Sequence, residues 1–78
     1  MPQQKGSNPV RISLMGSQAY TLPSNTRQIL ILSGEAWLSL GLNNVVAHSQ
    51  ETVQIHPEQQ TVTITPLGRT RLEFMMVA

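Results

Sequence analysis

Cysteine and aspartate are absent from this chain, and tryptophan, tyrosine and phenylalanine occur once each. Without Cys there is neither a disulfide nor a thiolate metal site. Without Asp, a catalytic His loses its commonest partner, and acid/base pairs lose one of their two carboxylate types. Long apolar runs are also missing: stretches such as Ile29 to Leu32 fall far short of the roughly 20 residues of a membrane-spanning helix. No charged segment leads into an apolar one as in an export signal, so a cytoplasmic setting is expected. Charge of one sign is scarce, with five Lys and Arg against four Glu, so no strong field favours nucleic acid or an anionic membrane.

What is present is a strand pattern. The opening MPQQKGSNP is polar and without apolar period, so residues 1–9 are expected to form a mobile tail and residues 10–78 a single domain. From there apolar residues recur at every second position: Val10, Ile12, Leu14; Val53, Ile55; Val62, Ile64; Leu72, Phe74, Met76. No window holds the i, i+3, i+4, i+7 spacing of a helix for ten residues, and Thr, Val and Ile are plentiful. The reading is all-β, a small barrel or sandwich of about eight short antiparallel strands. Gly16-Ser17 and Gly34-Glu35 each place Gly first in a two-residue loop, as a type II′ hairpin requires, and Asn43-Asn44 suits a type I′ turn. Thr65 to Gly68, with Pro second and Gly fourth, suits a type I turn.

With Gly34-Glu35 as a hairpin loop, Ile31 would face Leu38 and Leu32 would face Trp37, making both faces of the hairpin apolar. The plain reading is a central hairpin packed between two layers, as in a sandwich. The more specific one is that one face fills the core while Leu30, Leu32 and Trp37 contribute to a subunit contact, because Trp is enriched at interface centres. A ligand-stacking Trp37 is the remaining alternative. Met75 and Val77 make the outward side of the last strand partly apolar, so Met75 joins the candidate interface. A core of this size supplies only roughly 3–5 kcal/mol, and self-association is the support left to it. A homo-oligomer, specifically a homodimer, is therefore expected.

Residues 22–74 resemble a small bacterial protein family with a cupin-like β-fold and no assigned activity. The resemblance rests on a Gly-x-x-Trp step, matched by Gly34 and Trp37, then a turn where Asn44 stands in place of the usual Asp. Glu51 matches the Glu of a Gly-Glu pair, with Gln50 replacing the Gly, and Gly68 matches the last turn. These are structural motifs, so the resemblance implies a cupin-like fold and no chemistry. True cupins carry a His-x-His motif, a Glu and a distant His inside the barrel; no His-x-His occurs here. His48 and His56 flank Glu51, but with Val53 and Ile55 inward, Gln54 and His56 turn outward. No metal site and no cofactor are expected.

None of the Ser residues sits in a Gly-x-Ser-x-Gly elbow, and the glycines are scattered singly, so neither a nucleophile nor a phosphate loop is found and the chain does not read as an enzyme. Thr61, Thr63 and Thr65 share one side of a strand, either as a hydrogen-bonding ladder or as the wet face of a sheet. Arg69 and Arg71, with Arg11 and Arg27, motivate an alternative as a weak single-stranded nucleic-acid-binding domain. The favoured function is a non-catalytic oligomeric module that binds a small ligand or another protein.

Overall fold

The computed structural model describes residues 9–56 and 61–77, and the expected tail lies outside them except for Pro9. The strands are β1 (Val10–Leu14), β2 (Tyr20–Thr21), β3 (Gln28–Ser33), β4 (Ala36–Leu40), β5 (Asn43–Ala47), β6 (Thr52–Gln54), β7 (Val62–Pro66) and β8 (Leu72–Val77). No helix occurs among the described residues, and so none long and apolar enough to cross a membrane. The first sheet runs β1-β8-β3-β6 and the second β2-β7-β4-β5. All pairs are antiparallel, and β1 pairs with β8, β2 with β7, β3 with β6 and β4 with β5. That is the order made by rolling one long hairpin over itself, a double-sheet jelly roll.

The alternation read from the sequence fixes which side of each strand enters the core. Ile29, Ile31, Leu72 and Phe74 of the first sheet and Ala36, Leu38 and Ile64 of the second have no exposed surface. Each large side chain among them contributes ~1.5–3 kcal/mol on leaving water. Ile12, Tyr20, Val45, Val53 and Ile55 pack around this centre, closing the sandwich at its margins. Thr63 and Thr65 alternate with buried Val62 and Ile64, which places the threonines on the outer face as expected.

The connections differ from the sequence reading. β3 and β4 do not form a hairpin: β3 belongs to the first sheet and β4 to the second, and Gly34 turns the chain across the gap at φ 84. Ile31 and Leu38 therefore enter the core from opposite sheets instead of facing each other as hairpin partners. Gly16 does occupy a β-turn, closed by the Gln18 amide donating to the Met15 carbonyl at 3.1 Å, but this turn too passes between sheets. Asn43 and Asn44 lie within β5, opposite Leu40 and Ser39; the hairpin loop is Gly41-Leu42, with Gly41 at φ 67. The rule that puts Gly first in such a loop applies, one position pair earlier than the asparagines. Pro66 ends β7 opposite Ala36 instead of opening a turn, and the bend follows at Gly68–Thr70. The missing Pro N–H is tolerated at a strand end, and the next amide, Leu67, donates to the Glu35 carbonyl at 2.9 Å.

Gln50 is the one described residue other than Gly in the left-handed region, at φ 73, between a His48 carbonyl and a Glu51 amide 3.0 Å apart. A Cβ there costs ~1–2 kcal/mol, and a Gly returns ~0.5–1 kcal/mol as extra freedom of the unfolded chain. The Gln50 side chain also donates to the Leu32 carbonyl at 3.2 Å, an exposed contact. Gln50→Gly should gain about 0.5 kcal/mol, read as a higher urea midpoint; a lower midpoint would mean that the side-chain bond outweighs the strain.

Candidate functional site

The outer face of the second sheet is built by the same alternation that fills the core. With Ala36, Leu38 and Leu40 inward, Trp37 and Ser39 of β4 point out; with Val45 and Ala47 inward, Asn44 and Val46 of β5 do the same. Register then sets the neighbours. Trp37 lies between Val46 and Thr65, and Ser39 between Asn44 and Thr63, with Thr21 beyond Thr63. Trp37, Ser39, Asn44 and Thr65 line a shallow depression of ≈ 230 Å³. Trp37 remains 47% exposed and Val46 49%.

Its electrostatics are neutral. One indole N–H, two hydroxyls and one carboxamide supply both donors and acceptors, and no charged side chain lines the depression. Along the strands Glu35 stands two residues before Trp37 and His48 two after Val46, with Glu35 Oε2 2.8 Å from His48 Nδ1. They form an ion pair only with His48 protonated. The Glu51 carboxylate caps the same turn by accepting the His48 amide at 2.7 Å, which occupies it structurally. Among the described residues no group of three His, Asp or Glu could hold a metal ion.

The four candidate interface residues divide between the two sheets. Leu30 and Met75 are register partners on the outer face of the first sheet, and Leu32 joins them at a β-bulge, where the β3–β8 register shifts between Ile31 and Ser33. Trp37 stands on the opposite side of the molecule. The Leu30, Leu32 and Met75 patch, with Val77, is half-buried within the single chain.

The four arginines are spread out. Arg11, on β1, bonds Glu73 of β8 at 2.8 Å, and Arg71 donates to Met15 Sδ at 3.5 Å. Arg69 lies in the bend before β8, whereas the Arg27 amide meets the Val77 carbonyl at the far end of that strand. Six residues of strand separate Arg71 from Val77, about 20 Å at ~3.4 Å each. The Arg11 hydrogen bond holds the Glu73 carboxyl below its ordinary 4.5; burial raises it less, and the Arg11 and Arg71 charges lower it further. A carboxylate depressed in the fold stabilises it above about pH 4.5, and that contribution is lost as pH falls through the lowered value. Arg11→Ala should return the Glu73 titration towards 4.5, followed by NMR of the side-chain carboxyl; an unmoved titration would mean that another group sets it.

The sequence offers Trp37 as a subunit contact or a ligand-stacking residue and Thr65 as part of a ladder or a wet face; it does not group Ser39 with them, and it puts Asn44 in a turn. Assigning the loop to Gly41-Leu42 was the signal that would have placed residues 37, 39, 44 and 46 on one face. No family model matches this chain, and comparison with curated proteins and with solved structures finds no match either.

Proposed function

We propose that this chain is a non-catalytic, self-associating binding domain whose ligand seat is the depression beside Trp37. One observation carries the reading: the largest side chain of the protein is half in water, at a depression whose other lining side chains are neutral hydrogen-bonding groups. An indole so placed stacks a flat or apolar ligand surface, and the hydroxyls and carboxamide orient it. The cupin-like kinship and the cytoplasmic setting belong to the same reading, and the double-sheet order, an arrangement that cupins share, supports the first.

Self-association is assigned to the other side of the molecule, through Leu30, Leu32 and Met75, where apolar side chains cross β3 and β8 on an outward face. Light scattering over a wide concentration range tests this half. The natural chain should give twice the chain mass and the Leu30→Lys, Met75→Lys variant a folded monomer, because a charge buried in an apolar contact costs several kcal/mol. A natural chain that stays monomeric at millimolar concentration would remove it. The seat is tested by the emission of Trp37, the sole indole, against a library of neutral small molecules. Binding of an oligonucleotide that weakens steeply with salt would favour the arginine-based alternative instead.

A further inference from the structure

We infer that the seat takes a neutral sugar, with one ring stacked on Trp37 and its hydroxyl edge against Ser39, Asn44 and Thr65. This rests on the reading of the outer face of the second sheet as ligand-binding, and it narrows the ligand by chemistry. The depression, at ≈ 230 Å³, is smaller than the roughly 300–1,000 Å³ of pockets that enclose drug-sized ligands, so it seats one ring and leaves the rest outside. Its lining excludes net charge: among the lining residues an anion would find no cation and a cation no carboxylate. What remains must present an apolar face to the indole and several groups that both donate and accept to two hydroxyls and a carboxamide. A sugar ring, with C–H bonds on its face and hydroxyls around its rim, has that two-sided chemistry.

The polar groups also run in a line. Asn44, Ser39, Thr63 and Thr21 are successive register partners across β5, β4, β7 and β2, perpendicular to the strands. Three interstrand gaps of ~4.8 Å make this row about 14 Å long, more than one ring needs. The seat is therefore the stacking subsite of a longer neutral saccharide that lies across the strands. An isolated nucleobase would use the indole but leave most of the hydroxyl row unpaired.

The experiment follows Trp37 emission while glucose, galactose, mannose, N-acetylglucosamine and cellotetraose are titrated, with adenosine and uridine alongside. Saturation-transfer NMR serves the variants that lack the indole. A saturable change is expected with at least one sugar, and an oligomer should bind on the order of tenfold tighter than its monomer. Saturation transfer to the sugar C–H protons should vanish in Trp37→Ala and persist in Trp37→Tyr, and Asn44→Ala should bind about three- to tenfold more weakly. Dispersed amide spectra establish that the variants are folded. Nucleoside binding without sugar binding would overturn the sugar inference and leave the seat standing. Sugar binding unchanged in Trp37→Ala would overturn the placement. Silence towards every probe would overturn both the inference and the reading beneath it.

Discussion

Gly34→Ala should lose at least about 3 kcal/mol of folding stability. Gly34 carries φ 84, where an L side chain costs ~1–3 kcal/mol by itself. A Cβ built there would also stand 2.5 Å from the Arg71 carbonyl oxygen and 3.2 Å from the Leu72 Cα. Both are backbone atoms, and Leu72 begins β8 with no exposed surface, so neither gives way as a side chain would. The crossing is pinned on both sides as well: the Ser49 hydroxyl donates to the Gly34 carbonyl at 3.1 Å, and the Leu67 amide to the Glu35 carbonyl. A domain of 78 residues holds ~4–12 kcal/mol in all, so the loss is a large part of the whole. Gly41→Ala is the control, because Gly41 has φ 67 but nothing within 4 Å of an added Cβ. It should lose only about 1 kcal/mol, the conformational cost alone. Urea unfolding of the two variants isolates the close approach, and equal losses would show that the contact is not tight.

Why Gly34 was legible as a turn and not as a crossing has a physical reason. Alternation along a strand reports which side of it is buried, and on that point Ile29, Ile31, Leu38, Ile64, Leu72 and Phe74 all read correctly. It does not report which strand lies alongside. In this jelly roll β4 and β5 are the one consecutive pair that lie together as a hairpin, and every other consecutive pair belongs to opposite sheets. A short Gly-containing link between two apolar runs looks the same in sequence whether it joins neighbours or spans the core. Once β3 and β4 are separated, Leu32 and Trp37 lose their shared face, and the supposed single interface becomes two surfaces with different chemistry. Asn44 failed for a related reason: Asn tolerates turns, but Gly41, two residues before β5, took the loop first. In sequence Thr63 and Thr65 read as a ladder or a wet face, and it takes their register with Ser39 and Trp37 to put them on one surface with those residues.

Phe74→Ala should cost about 3–5 kcal/mol, whereas Trp37→Ala should cost about 1 kcal/mol or less, although Trp37 is the larger residue. Phe74 sits in the middle of β8 with no exposed surface, between Ile12 of β1 and Ile31 of β3. Its ring also reaches across the sandwich to Tyr20, with centroids 6.2 Å apart at 57°, an arrangement worth ~0.5–1.5 kcal/mol beyond area. Removing it opens a cavity that the two sheets close only in part. Trp37 has Val46 and Thr65 beside it and water above, so its truncation bares polar and half-exposed neighbours and leaves no hole. Urea denaturation followed by far-ultraviolet circular dichroism compares the two without relying on the indole. The contrast bears on function because a side chain that the fold does not need is free to meet a ligand. If Trp37→Ala unfolds the chain as Phe74→Ala does, the indole belongs to the core and the outer face of the second sheet holds no seat.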